Sequence, residues 1–183
     1  MPFNPTMNPV EITNQIGLAI SSWELMELEY ARLYSVFVDK PGDYETIVRF
    51  GDIGATFSIR MNKLEKAAQS YFVKNPSQKD EGDFLDLLDR ARKLSDKRQQ
   101  IAHGICWHFH HMLPDGGHGA LIGYAWTSPI YSLGRLTEGY KPFWYAPEQI
   151  HSIGRSFTDL KNAVVKYALR LLPPPSPETQ LAQ

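Results

Sequence analysis

Apolar residues recur at steps of three and four from Val10 to Asp39, and this feature restricts the fold of the chain more than any other. The positions on this stripe are Ile12, Ile16, Ala19, Trp23, Met26, Tyr30, Leu33 and Phe37. A repeat near 3.6 residues places these side chains on one face of a helix. The pattern therefore predicts a long amphipathic helix that ends near Lys40-Pro41-Gly42 and buries its apolar face against other elements.

A second segment with the helical period follows directly. It begins at Asp43, whose side chain is a predicted N-cap, and runs as one helix to Asn75-Pro76. Gly51 and Gly54 interrupt this helix. We interpret the two glycines as a kink or a close packing contact, because no lysine follows them as a phosphate-binding loop requires.

The third and fourth helical segments have apolar stripes of their own. Helix three is expected to begin at Asp83 or a neighbouring acidic residue, and Arg98 occupies a position in its seam. The apolar positions of that seam are Phe84, Leu87, Ala91, Leu94 and Ile101. Helix four opens at Ala146-Pro147-Glu148, and its stripe extends from Ile150 to Leu171. Each of these helices also needs a surface against which to pack.

The residues between helices three and four have the period of a β-strand. The apolar Ile105, Trp107 and Phe109 alternate with Cys106, His108 and His110. The turn residues Pro114-Asp115-Gly116-Gly117 lead to a return strand in ALIGYAW, and an irregular loop from Leu133 to Lys141 precedes a short third strand at Phe143-Trp144-Tyr145. The sequence thus predicts a mainly α protein, an antiparallel four-helix bundle with a small β-hairpin insertion between helices three and four.

Length and end composition suggest one domain between two tails. A chain of 183 residues is long enough to bury one core and short for two full-sized domains. Prolines and polar residues mark both ends, so we expect a flexible N-terminal tail at residues 1–9 and a flexible C-terminal tail at 173–183. Residues 10–172 then form a single helical domain, with the β insertion at about 105–145.

Charge and cysteine content exclude several function classes. A net charge of -1 gives no general attraction for nucleic acid or anionic membranes, so any such binding has to be local. The single cysteine, Cys106, excludes an intrachain disulfide and a thiolate zinc cluster. No segment has the length of a membrane span or the pattern of a signal peptide, and we expect a cytoplasmic protein with no membrane partner.

The segment from Arg98 to Gly104 is the candidate for chemistry. Gly104 is expected to end helix three in the left-handed conformation, which places His103 in the last turn, where the helix dipole favours a protonated imidazole. An imidazolium beside a guanidinium forms a cationic site for phosphate. Metal-independent RNA cleavage uses both groups, since a histidine moves protons while an arginine stabilises the phosphoryl charge.

Helix geometry limits how Arg98 and His103 can cooperate. Residues five apart on an ideal helix point about 140° away from each other. Convergence therefore needs the long arginine side chain, unwinding of the helix end, or a second copy of the helix across a two-fold interface. An arginine in a seam position fits the last option, because a buried guanidinium is costly without a partner or a ligand.

The Arg-x4-His pair at the end of a late helix, with the histidine inside IAHG, resembles the signature of HEPN domains, the higher eukaryotes and prokaryotes nucleotide-binding superfamily. The resemblance implies a helical bundle that dimerises through the motif helices and, in many members, a metal-independent endoribonuclease with a composite site in the dimer cleft. It implies Arg98 and His103 as catalytic residues and Gln99 as the polar neighbour of the arginine. Lys97 and Arg92, from the basic stretch before the motif, are weaker binding candidates. No cofactor is expected, and the expected partners are a second copy, RNA and a neutralising protein.

Other interpretations stay open. The chain is alternatively a non-catalytic helical interaction or nucleotide-binding module, in which Arg98 pairs with a buried carboxylate of helix one such as Glu24 or Glu27. His108 and His110 would project from one strand face as two metal ligands could, although no third ligand is evident. We expect the aromatic residues of the insertion to cover the bundle rather than to stack on bases, and Cys106 to be structural.

Overall fold

The computed structural model describes residues 5–52, 56–129 and 142–172, and it is mainly helical with a small antiparallel sheet. The helices are α1 (Pro9–Phe37), α2 (Tyr44–Phe50), α3 (Phe57–Lys74), α4 (Gln78–His103) and α5 (Pro147–Leu171), and the strands are β1 (Ile105–Met112), β2 (His118–Thr127) and β3 (Trp144–Tyr145). The prediction of a mainly α protein is confirmed, and a small antiparallel sheet of three strands is present among the described residues. The predicted irregular loop at 133–141 and the predicted tail at 173–183 lie outside the described residues.

The prediction of one interrupted helix from Asp43 to residue 74 is wrong, because two helices with separate caps occupy this segment. The Asp43 side chain accepts a hydrogen bond from the Thr46 backbone N–H at 2.8 Å, as expected for the N-cap of α2. Gly51 closes α2, and Thr56 starts α3 by accepting from the Ile59 N–H at 3.3 Å. The Thr56 side chain thus begins a new set of helical backbone hydrogen bonds, and the segment contains two separate helices. The other predicted interrupting glycine, residue 54, lies outside the described residues.

Helix α4 begins at Gln78, earlier than the predicted start at Asp83. The Ser77 side chain accepts from the Asp80 backbone N–H at 3.3 Å and donates to the Asp80 carboxylate at 2.6 Å. The Glu81 N–H also donates to the Ser77 carbonyl at 3.0 Å. Ser77 is therefore the N-cap residue, and its hydroxyl satisfies one of the first backbone N–H groups, so the helix begins more than one turn before Asp83.

The sheet has the strand order β1-β2-β3, with both neighbouring pairs antiparallel. Cys106 lies opposite Trp126, and Trp126 lies opposite Tyr145, so these three side chains share one face. Thr6 adds a bridge on the β3 side of β2, where its N–H and carbonyl both bond to Tyr124, at 3.0 and 2.7 Å. The backbone before α1 is thereby hydrogen-bonded to the sheet.

The chain forms two compact units. The sheet unit comprises Met1–Glu24 with Lys93–Thr158, and the helical unit comprises Leu25–Arg92 with Asp159–Gln183. The fully or nearly fully buried apolar side chains of the sheet unit include Ile12, Ala19, Trp23, Ile101, Ala125, Ile150 and Phe157. Those of the helical unit include Met26, Tyr30, Leu33, Phe37, Phe50, Met61, Leu64, Phe84, Leu88, Leu160 and Val164. The single domain at 10–172 stays a prediction.

Each unit has an aromatic contact at its centre. In the sheet unit, Trp23 of α1 meets Phe157 of α5 edge to face, with ring centroids 5.1 Å apart. The small Gly154 lies beside Ala19 there, since an added Cβ would stand 3.3 Å from the Ala19 Cα. In the helical unit, the Phe37 ring contacts Phe84 edge to face at 5.1 Å. Along the described ranges, no helix is both long enough and apolar enough to span a bilayer.

Candidate functional site at the end of helix α4

The last turn of α4 is fixed to the sheet through one glutamine, Gln100. The Trp126 indole N–H donates to the Gln100 backbone carbonyl at 3.2 Å, and the Tyr145 hydroxyl donates to the Gln100 side-chain oxygen. Lys97 then donates to the Tyr145 hydroxyl at 3.1 Å, and its ammonium lies 5.5 Å from the centre of the same ring. The indole satisfies a carbonyl that the helix end leaves without an intrahelical partner. The motif turn is therefore held in a defined position within the sheet unit.

Gly104 has a different role from the predicted one. It does not have a positive φ, so it does not end α4 in the left-handed conformation. Instead, a Cβ at this position would stand 2.2 Å from the Trp126 Nε1 and 2.6 Å from its Cε2. A side chain at residue 104 would thus occupy the space of the indole. Glycine is required here for close packing, and the chain passes directly from α4 into β1.

Arg98 is only partly neutralised by its surroundings. Its Nη2 lies 3.7 Å from the Glu24 Oε1, and the two side chains are 36% and 60% exposed. Its Nε is buried, and this atom has no hydrogen-bond partner among the described residues. The predicted pairing of Arg98 with Glu24 is found, but this carboxylate is largely exposed rather than buried, and Glu27 instead pairs with Arg60. The distance to Glu24 is long for a charge-assisted hydrogen bond, so the guanidinium retains donors for another anion.

His103 is the last residue of α4 and is exposed. The continuous helix from Arg98 to His103 keeps the separation of about 140° between their directions on an ideal helix. Within one chain the two side chains therefore leave the helix on different sides. The unwinding of the helix end that we considered as a way to bring them together does not occur before His103.

The weaker binding candidates divide between the two units. Lys97 is engaged by Tyr145, and Gln99 is exposed. Arg92 belongs to the helical unit, where it donates to the Glu65 carboxylate at 2.7 Å and to the Asn62 side-chain oxygen at 3.2 Å. Sequence reasoning missed Gln100, which makes the contacts that position the turn. Its contacts come from residues far along the chain, so no local pattern marks it.

The hairpin histidines form a row without a complete metal site. The ring centres of His108 and His110 are 5.2 Å apart, and those of His110 and His118 are 5.6 Å apart. His110 Nδ1 is already engaged by the Gly119 carbonyl at 3.1 Å. In the part of the chain that the structure describes, no group of three or more His, Cys, Asp or Glu side chains is arranged to hold a metal ion.

The cysteine and the aromatic residues of the sheet differ in how far they are buried. Burial raises the pKa of the Cys106 thiol, which favours the unreactive protonated form. Trp126 and Tyr145 pack against α4, in line with the expectation that the aromatic residues are structural. Trp107 and Trp144 are 38% and 51% exposed. Chemically, the arrangement offers an incompletely paired guanidinium and an exposed imidazole on a fixed helix end.

Comparison with known proteins gives no match to a family model, to a curated protein or to a solved structure. The resemblance to HEPN domains therefore stays a prediction from the motif residues.

Proposed function

We propose that the chain is a HEPN-like endoribonuclease that cleaves RNA without a metal ion or other cofactor, at a composite site formed by two copies of the chain. Arg98 holds the scissile phosphate, and His103 exchanges protons. The observation that carries the proposal is the buried Arg98 Nε, which has no hydrogen-bond partner among the described residues. A buried donor of this kind is costly unless a ligand satisfies it, and a phosphate oxygen is the acceptor that a guanidinium fits best.

The reaction needs only the groups that the motif supplies. The ribose 2′-hydroxyl attacks the adjacent phosphorus as a neutral imidazole accepts its proton. The bond from phosphorus to the 5′-oxygen breaks, and an imidazolium donates a proton to that oxygen. The products are a 2′,3′-cyclic phosphate and a 5′-hydroxyl, so no water is consumed. Arg98 stabilises the charge that gathers on the non-bridging oxygens.

A second copy of the chain resolves the helix geometry. Because Arg98 and His103 leave α4 on different sides, a two-fold axis beside the helix end brings the arginine of one copy toward the histidine of the other. We extend the proposal to the arrangement of α1, α3, α4 and α5 as an antiparallel four-helix bundle with the hairpin between α4 and α5. A cytoplasmic location and a neutralising partner protein belong to the same proposal.

A non-catalytic interaction or nucleotide-binding module is the second candidate. The observation that favours it is the contact of 3.7 Å between Arg98 and Glu24. In this case the motif residues build a dimer interface and have no catalytic role. Replacing Arg98 with alanine then lowers stability or dimerisation, and no RNA is cut.

The test is incubation of the purified chain with a mixture of structured and unstructured RNAs in excess chelator. His103→Ala is the variant, and His111→Ala is the matched control, since both histidines are exposed and both belong to the sheet unit. We expect the wild type and His111→Ala to release fragments with cyclic phosphate ends, while His103→Ala releases none and keeps its circular dichroism and its oligomeric state. Equal cleavage by His103→Ala would falsify the assignment.

Arg98→Lys adds a second arm to this experiment. Lysine keeps the charge but replaces the forked donors with a single ammonium. We expect the rate of cleavage to fall by about a hundredfold, as for loss of one transition-state donor. Arg155→Lys, an exposed position on α5, is the matched control and should keep the wild-type rate.

A further inference from the structure

A groove of about 430 Å³ lies on the helical unit, between the end of α1 and one face of α3. Its polar lining comprises Asp39, Lys63, Lys66, Ser70 and Lys74, and its aromatic lining comprises Tyr34 and Phe37. All of these residues belong to the helical unit. It involves none of the motif residues, and its chemistry differs from that of the α4 end.

The groove carries a local excess of positive charge in a chain whose net charge is -1. Of its three lysines, Lys74 pairs at 3.3 Å with Asp39, which is the only carboxylate among the described lining residues. The Lys63 ammonium lies 5.2 Å from the centre of the Tyr34 ring. The Lys66 ammonium is exposed and has no acceptor among the described residues. The groove therefore presents two cations that no carboxylate of its lining neutralises.

The spacing of the lysines favours an extended anion over a single phosphate group. Lys63 and Lys74 share a face of α3, and they lie about 16 Å apart along its axis at a rise of about 1.5 Å per residue. Lys66 stands one turn from Lys63, on the same side. A row of this length matches the repeated charges of a polymer if a phosphate takes the place of Asp39 at Lys74, whereas one phosphate would reach only one end of the row.

We propose that this groove binds the backbone of a single-stranded nucleic acid, with the lysines on successive phosphates and a base against Tyr34. Lysines act as point charges that contact phosphate without reading sequence. A half-buried aromatic ring beside a cationic track supplies the stacking surface that single-stranded nucleic acids use, and the base would take the place of the Lys63 ammonium over this ring. A run of aspartate or glutamate offers repeated charge but no aromatic ring to stack on Tyr34.

The test is the fluorescence anisotropy of a labelled 2′-O-methyl oligouridine of about twelve nucleotides, which lacks the hydroxyl needed for cleavage. Lys66→Glu is compared with Lys166→Glu, an exposed lysine of α5 in the same unit that does not line the groove. We expect Lys66→Glu to weaken binding about tenfold at low salt and to reduce the slope of log affinity against log salt by about 0.7. Lys166→Glu should change the affinity by less than about twofold.

Three results would overturn the proposal: no binding by the wild type, equal loss in the two variants, or displacement of the oligonucleotide by polyglutamate at an equal concentration of charge. Binding and cleavage are separate readouts. A chain that binds through Lys66 but does not cut RNA contradicts the proposed function and leaves the groove assignment intact. His103→Ala should bind the oligonucleotide as the wild type does.

Discussion

The Trp126 indole lies against the Cα of Gly104, in the space that a side chain at residue 104 would fill. Its Nε1 donates to Gln100 at 3.2 Å, so the same ring both closes the α4 end and excludes any larger residue after it. This contact joins the sheet to the motif turn. We therefore expect a substitution that disrupts it to change the position of the motif residues.

Gly104→Ala is the direct test of this contact. The added Cβ would stand 2.2 Å from the indole nitrogen, so the ring has to move and its hydrogen bond is lost. We expect a loss of about 1 to 3 kcal/mol in the free energy of unfolding, measured in urea. Gly82→Ala is the matched control within α4, where an added Cβ meets nothing within 4 Å. That substitution should stabilise the chain by about 0.5 kcal/mol, and an unchanged midpoint for Gly104→Ala would contradict the packing role.

Tyr145→Phe isolates the second contact of the motif turn. The change removes the hydroxyl that donates to Gln100 and accepts from Lys97, while it keeps the buried ring. We expect a loss of about 1 kcal/mol in the free energy of unfolding. Tyr124→Phe, a half-buried tyrosine of the same sheet, is the control and should have a smaller effect. If cleavage is observed, Tyr145→Phe should reduce it, because the turn that carries His103 loses a constraint.

The buried Tyr30 is expected to make the free energy of unfolding decrease at alkaline pH. Its hydroxyl donates to the Leu87 carbonyl at 2.8 Å, and burial raises the pKa of this phenol above its ordinary value of 10.0. The unfolded chain therefore releases this proton first, so the stabilisation is present below about pH 10 and is lost as the pH rises above it. Tyr30→Phe should lower stability at pH 8 by about 1 kcal/mol and should reduce the steepness of the alkaline loss.

The control for this pH dependence is Tyr44→Phe, because Tyr44 is 78% exposed. The urea midpoint of this variant should follow the wild type between pH 8 and pH 11. Part of the alkaline loss should remain in Tyr30→Phe, since burial also raises the pKa of Tyr167. Parallel curves for Tyr30→Phe and the wild type would show that the Tyr30 phenol does not govern the loss.

Arg98→Met separates the proposed enzyme from the interaction module. Methionine keeps an unbranched side chain in the seam and removes a guanidinium whose Nε is buried without a hydrogen-bond partner among the described residues. If the arginine is kept for a phosphate ligand, the variant should gain about 0.5 to 1 kcal/mol in stability and lose cleavage. A lower melting temperature than that of Arg155→Met would instead support a structural ion pair with Glu24.

Periodicity predicted the helices because an apolar stripe is a local property of the sequence. The stripe in α1 and the alternation in β1 correspond to elements with nearly the expected bounds. The start of α4 was predicted too late, although the Ser77-x-x-Asp80 pattern is a local signal that marks the observed cap. The break between α2 and α3 likewise has a local cause in Thr56.

The site was less accessible to sequence reasoning because its contacts are long-range. The sequence singles out Gly104, but the predicted reason, a left-handed helix end, is wrong, and the actual reason is close packing against a tryptophan from β2. Gln99 was named as the polar neighbour of Arg98, whereas Gln100 is the residue that β2 and β3 hold. Sequence spacing identifies the turn on which these residues stand, and only the fold decides which of them faces the sheet.

The bridge between Thr6 and Tyr124 also provides an internal reporter. Both amides donate into this bridge, at 3.0 and 2.7 Å, so the Thr6 proton is shielded by the sheet although its residue precedes the first helix. In deuterated water, Thr6 should exchange at the pace of β2 rather than at the pace of an unstructured peptide. A single amide resonance near the start of the chain would then indicate whether the hairpin is intact in any variant.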